Sequence, residues 1–255
     1  MLRGRHFPVI VLSLVFVFMA GVVGCAPSVS DGECDAVKAD LDRANAELSE
    51  LREVKAELDK AKAELVEVKA ASLEELLRER RSVRDYADAP LTQDEVLKLL
   101  WAGQGITQAR GFRTAPSAGA LYPLELYLVA GNVENLAPGV YKYKPTQNTL
   151  SLVRDGDVRA GLAAAALGQS SVREGAIDIV IAAVYERTTR KYGPRGETYV
   201  HIEVGHAAQN ICLQATALGL GLVTVGAFND AGVRAIVGMS QDEIPLYVIP
   251  VGRKT

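Results

Sequence analysis

Cysteine, histidine and tryptophan are all scarce, with three, three and one among 255 residues. Cys25 and Cys34 lie near the N-terminus and Cys212 in an apolar run of helical spacing, so no intrachain disulfide framework is implied. His201, Glu203 and His206 tempt a metal reading, because Glu203 and His206 are three residues apart on a helix. No second Glu-x-x-His pair accompanies them, and the remaining histidine, His6, is near the start of the chain. They are read as polar groups satisfied inside a core or a dimer interface, with no metal. Neither sign of charge predominates, and a formal net charge of -3 gives no reason to expect nucleic-acid binding. Long apolar runs are absent after the first.

That first run is distinctive. Arg3 and Arg5 precede an apolar stretch from Val9 to Val23, broken only by Ser13 and Gly21, which reads as a signal segment over residues 1–24. It ends in Val22-Val23-Gly24-Cys25, similar to a bacterial lipobox, with Cys25 as the residue to be lipidated. The alternative is an uncleaved anchor, for which the run is short of a span of about 20 residues. Either way the remainder is expected to be tethered to a membrane on its outer side, in the periplasm or cell envelope.

Residues 25–34 read as a linker. From Asp35 to Ala71 the chain is rich in Ala, Glu, Lys and Leu and has neither Gly nor Pro, the composition of a long exposed helix. Leu41, Ala44, Leu48 and Leu51 fit one heptad register, and Leu51, Val54, Leu58, Ala61, Leu65 and Val68 another. A coiled-coil stalk and a solvated single-helix spacer both fit, and at ~1.5 Å per residue the helix would reach roughly 50 Å.

Residues 72–255 form the expected catalytic domain, with 49% hydrophobic residues over the whole chain and ample length for a core. Ser72 with Glu75, and Thr92 with Glu95, have capping-box spacing. Strands are expected at Leu124–Ala130, in a hairpin over Val140–Leu152 turning near Pro145–Asn148, at Ile177–Tyr185, at Leu222–Val225 and at Leu246–Val251. Helices are expected from Asp157 to Leu167 and from Thr198 to Leu218, the second apolar on several faces and so central. The Leu-Gly-Leu-Gly run at 218–221 follows a helix and is read as its stop. Strands and helices mix without a strict βα repeat, which predicts an α+β class.

Two segments point to chemistry. Arg80-Arg81-Ser82-Val83-Arg84 offers guanidinium forks and a hydroxyl, which suit a phosphate. Pro116-Ser117-Ala118-Gly119-Ala120-Leu121-Tyr122-Pro123 is a small-residue loop whose backbone can come close to a ligand. A solvated helix end is the competing reading of the arginines.

These blocks, with Glu186-Arg187-Thr188, Lys191-Tyr192-Gly193, Val225-Gly226-Ala227-Phe228 and Pro250-Val251-Gly252-Arg253, resemble in order the nitroreductase family of FMN-dependent oxidoreductases. Within it they are most similar to the SagB-type azoline dehydrogenase branch. The resemblance covers residue 72 onward and implies a nitroreductase-like fold, a mostly antiparallel mixed sheet surrounded by helices. It implies that Arg80, Arg81, Ser82 and Arg84 bind the phosphate and ribityl chain of FMN, with Arg253 approaching the same phosphate. Pro116, Ser117, Ala118 and Gly119 would pack against the flavin of a partner subunit in a homodimer, and backbone N–H groups of Gly226 and Ala227 would face the flavin N5 edge. Lys191 and Tyr192 would be the catalytic pair, taking a proton while hydride leaves to N5. Arg190 and Arg195 are candidate cations to lower the lysine pKa. The substrate would be a small molecule or a peptide heterocycle. An NAD(P)H-dependent reductase and a non-enzymatic envelope scaffold are the alternatives; the first needs a reductant that is scarce outside the cytoplasm.

Overall fold

The computed structural model describes residues 31–255; the signal segment and the Cys25 lipidation site lie outside the described residues. The chain divides into two units at Ala70/Ala71. Helix α1 (Asp31–Glu79) accounts for the described part of the first unit and ends in the second. It begins four residues earlier than expected and runs straight through the Ser72–Glu75 spacing, because a sequence of strong helix formers contains nothing to stop it. Leu48, Leu51, Val54 and Leu58 are exposed along it. Among the described residues no helix is long and apolar enough to cross a membrane.

The second unit is an α+β fold. Its strands are β1 (Tyr86–Ala87), β2 (Leu124–Ala130), β3 (Gly139–Lys144), β4 (Thr149–Asp155), β5 (Ile177–Ala183), β6 (Leu220–Leu222) and β7 (Ile244–Lys254). They form one sheet in the order β1-β7-β5-β2-β3-β4, with β6 also on β7. Every pairing between these strands is antiparallel; among the described residues parallel pairing occurs only as isolated bridges such as Ser82 with Leu222. The helices are α2 (Gln93–Gln104), α3 (Arg159–Ala165), α4 (Ser170–Glu174), α5 (Glu186–Tyr192), α6 (Arg195–Ala217) and α7 (Asp230–Val237).

Both faces of the central strands are covered, which explains sequences that are apolar on both faces apart from Glu125 in β2 and Asp178 in β5. Leu124, Leu126 and Leu128 of β2 and Ile177, Ile179 and Ile181 of β5 join one cluster with Leu99 and Leu100 of α2 and Val200, Ala207 and Ile211 of α6. The alternate residues Tyr127, Val129, Val180 and Ala182 join Leu162 of α3, Val172 of α4 and Val233 and Val237 of α7 in a second. The sheet therefore lies between two helical layers, and each strand's two-residue period assigns its side chains to one or the other. α2 and α6 approach closely at Gly103, where a Cβ would stand 3.0 Å from Ile211 Cδ1. α2 opens on the expected capping box, with Thr92 and Glu95 bonded reciprocally. α6 stops at Ala217, and Gly219, at φ +71°, carries the turn into β6. That strand starts two residues before the expected one because Leu220–Leu222 pairs with Val251–Arg253, whereas Val225 makes a single bridge to Val248.

Candidate active site

Arg80 to Arg84 link the end of α1 to the sheet. Val83 donates its N–H to the Leu222 carbonyl at 2.8 Å, and Gly221 makes room for it, since a Cβ there would fall 2.7 Å from Val83 Cγ1. This docking holds the basic run beside α6, where the Arg80 charge opposes the upward push of burial on the Cys212 thiol. Arg81 turns back on the chain: its Nη1 donates to the carbonyls of Arg78, in the last turn of α1, and of Arg80 just beyond it, at 2.6 and 2.8 Å. Ser82 and Arg84 are exposed and Arg80 half-buried. Among the described residues none of these three side chains has a hydrogen-bond or ion-pair partner, which leaves two guanidinium forks and a hydroxyl available together.

Arg253 is engaged within the protein. Its fork grips Glu95 at 2.7 and 2.8 Å, and its Nε donates to the Pro90 carbonyl at 3.2 Å. It thus clamps β7 to the start of α2, with two of its five N–H groups left over. Burial alone would raise the Glu95 carboxyl, but hydrogen bonds from Arg253 and Thr92 outweigh it and hold it below the usual range.

The loop from Pro116 to Pro123 is bent back on itself. Gly119, Ala120 and Tyr122 have φ of +64°, +54° and +47°, a conformation costing about 1–2 kcal/mol for each residue with a side chain. Surrounding contacts enforce it. Ser117 Oγ accepts the Tyr122 N–H at 2.9 Å. Arg187 donates to the Tyr122 carbonyl at 3.2 Å while paired with Glu125 at 2.6 Å. The Arg113 guanidinium covers the Tyr122 ring at 4.8 Å and donates to Gln104. Strain kept by so many restraints is typical of a working site.

Lys191 and Tyr192 meet this loop at Gly119. A Cβ on Gly119 would fall 2.8 Å from Tyr192 Oη and 2.9 Å from Lys191 Nζ, so both functional ends lie directly over the glycine backbone. The pair is delivered by the last turn of the seven-residue α5. Tyr192 packs edge-on against Tyr199 of α6 at 5.1 Å, and the Arg195 guanidinium lies 5.6 Å from the Tyr199 ring centroid. Arg190 pairs with Glu186 at 2.8 Å, so its charge is already partly answered.

Gly226 and Ala227 occupy an exposed turn anchored by reciprocal bonds between Val225 and Val248 at 2.8 and 2.9 Å. Among the described residues neither amide donates to a protein acceptor, whereas the Ala227 carbonyl accepts from Gln169.

Glu203 departs from expectation. It is buried, only 2% exposed, and its Oε1 has no hydrogen-bond partner, while His201 and His206 are exposed and His201 meets the Tyr185 hydroxyl. Burial pushes its carboxyl up to about 7, against the opposing pull of the Ser117 hydroxyl and the Arg113 charge. The folded state therefore prefers the neutral acid. Its stabilisation is complete below the unfolded carboxyl pKa and is lost as pH rises from ~4.5 to about 7. Glu203→Gln is expected to flatten that decline in denaturant titrations run at successive pH values; an unchanged pH slope would refute the assignment.

Arg113, Arg187, Glu95 and Glu203 all act in this region without having been singled out as ligand-binding or catalytic residues. Arg187 lies inside the Glu186-Arg187-Thr188 motif, whereas the spacing of Glu203 and His206 in the sequence signals a metal ligand pair and not a buried acid.

Comparison with known proteins places this geometry. The nitroreductase family model matches residues 77–253. The nitroreductase-type protein MJ1384 of Methanocaldococcus jannaschii is 51% identical over 182 residues, covering 71% of this chain and 91% of that protein. The microcin B17-processing protein McbC of Escherichia coli is 32% identical over 143 residues, 53% of this chain and 52% of McbC. Among solved structures, the E. coli microcin synthetase McbBCD complex with truncated pro-MccB17 bound superposes with a TM-score of 0.63 at 27% identity, covering 69% of this chain and 70% of that one. A family match over most of the chain, joined to 51% identity with MJ1384 over 91% of that protein, means that this chain belongs to the nitroreductase family.

Proposed function

We propose that this oxidoreductase uses FMN to exchange hydride with a peptide heterocycle or a related small molecule, and that it works as a dehydrogenase. The observation that carries the reading is the meeting of Lys191 Nζ and Tyr192 Oη over Gly119, in the loop expected to face a flavin. The residues fit the cofactor. Arg80, Ser82 and Arg84 are free to hold a phosphate, and the Gly226 and Ala227 amides are free to meet a ring edge. Two N–H groups of Arg253 could reach a phosphate only while its other three hold Glu95 and Pro90.

When bound, FMN supplies a two-electron acceptor or donor at N5. The chain orients the substrate against it and handles the proton. Lys191 is the base for the proton released as the heterocycle is oxidised, and Tyr192, fixed by Tyr199, orients the ammonium or carries the proton onward. Exposure of Lys191 lets that proton pass to water. The likeness to McbC supports a peptide heterocycle as the substrate class. The arrangement is a homodimer in which the Pro116–Gly119 loop faces the partner's flavin and α6 contributes to the interface. The Cys25 lipobox tethers the protein to the outer side of a membrane, and α1 serves as stalk.

The test is anaerobic mixing of the FMN-loaded protein with a short peptide carrying one thiazoline ring. Bleaching of the flavin band with loss of two hydrogens from the peptide is expected. Reduction by NADPH with no response to the peptide would favour the reductase alternative.

A further inference from the structure

Behind the Pro116–Ala118 segment lies a cavity of about 240 Å³, closed on its other side by α6 and lined by Pro116, Ser117, Ala118, Tyr199, Ile202, Glu203 and His206. Pro116, Ala118 and Ile202 make apolar walls, with the Tyr199 ring beside them. Glu203 is the buried polar group, and its Oε1 has no protein partner. Oε1 itself is sealed from solvent, so a ligand in the cavity meets the carboxyl at its other oxygen, where a hydrogen bond offsets part of the cost of burying the group. The cavity adjoins the proposed reaction centre: Ala118 precedes Gly119, on which Lys191 and Tyr192 converge, and Tyr199 supports Tyr192.

We propose that this cavity is a substrate subsite for a neutral amide group, with Glu203 as its hydrogen-bonding partner. This deepens, and rests on, the reading of the site as one for a peptide-like substrate. The charge of the surroundings selects the ligand class. Glu203 faces Arg113 and Ser117 from the loop segment and has Tyr199 and His206 on its own helix; Arg113 is itself acted on by Glu125 and Arg187. Arg113 beside the carboxyl, with Lys191 and Arg195 near the adjoining tyrosines, disfavours a cation. The carboxyl itself disfavours an anion. Burial raises the carboxyl to about 7, so the acid is mostly protonated in mildly acidic solution, and a protonated carboxyl both donates and accepts, which an amide matches with its carbonyl and N–H. The apolar walls suit an aliphatic group attached to that amide.

The test compares isobutyramide with its charged relatives isobutyrate and isobutyramidinium, by ligand-detected saturation-transfer NMR on the FMN-loaded full chain at pH 6.5. Isobutyramide is expected to bind best. Glu203→Gln, which keeps both a donor and an acceptor, should hold its affinity within about 3-fold, and Glu203→Leu should weaken it about 10-fold or more. Ser117→Ala, which removes the wall hydroxyl that acts on Glu203, serves as a second variant should Glu203→Leu not fold, and a fall in isobutyramide affinity of a few-fold is expected. Preference for either charged relative, absence of binding, or unchanged binding in Glu203→Leu or, in its place, in Ser117→Ala would overturn the proposal. Flavin retention, read from the same samples, separates this outcome from failure of the FMN reading.

Discussion

Replacing Lys191 by Ala is expected to lower turnover by ~10²–10⁴-fold while leaving bound flavin unchanged, the range for loss of a positioned acid or base. Lys191 Nζ stands over the Gly119 backbone with Tyr192 Oη beside it, and the lysine is in no ion pair among the described residues, so its removal costs little stability. Rate is therefore separable from folding and from cofactor. Turnover of the thiazoline peptide and the flavin absorbance of the purified variant measure the two independently. Lys191→Arg retains charge but stays protonated at any working pH, and it should be nearly as impaired. Full activity in Lys191→Arg would assign the residue an electrostatic role in place of proton removal.

The second large effect is expected at Gly119. Adding one methyl group there imposes two penalties of different kinds. The left-handed backbone, at φ +64°, costs about 1–2 kcal/mol with a side chain present. The new Cβ would also lie within 3 Å of both Lys191 Nζ and Tyr192 Oη and must displace them. Displacement of about 1 Å in a catalytic group can lower a rate by ~10²-fold. Gly119→Ala should thus lose activity far beyond its loss of stability. Gly111→Ala is the control: its φ is +82°, but a Cβ there meets nothing within 4 Å. It should show the backbone cost and near-normal turnover. Equal activity losses in the two variants would mean that the contact at Gly119 has no catalytic weight.

Local signals in the sequence located most elements of the second unit. The β2 strand is found at its expected limits, Leu124–Ala130, because seven consecutive residues of that strand are enclosed by turn residues and covered on both faces. The hairpin turn and the Thr92–Glu95 box were legible for the same reason: the partners are within a few residues of each other. The central helix extends three residues further toward Pro194 than its apolar period shows, since Arg195 to Glu197 sit in its first turn where burial is partial.

What escaped reading depends on partners far apart in the chain. Glu95 and Arg253 are 158 positions apart, and nothing local marks an arginine in a terminal strand as the clamp of a helix start. Arg81 belongs to a run of basic residues in which only backbone geometry decides which fork turns back to the helix carbonyls. Glu203 reads as an ordinary polar residue on a central helix; its missing partner follows from the placement of the Pro116–Ala118 segment above it. The quoted motifs identified Gly119, Lys191 and Tyr192 separately, and their convergence is a fact of tertiary structure.

The central claim is that Arg80, Ser82 and Arg84 and the Gly226–Ala227 turn form a flavin site, which the loop around Gly119 of the partner subunit completes. The direct measurement is the visible spectrum of the purified protein after incubation with FMN and removal of free flavin. A retained flavin band that disappears in the Arg80→Ala/Arg84→Ala variant, while the variant's circular dichroism stays native, is the predicted result. A folded wild-type protein that emerges colourless would contradict the account.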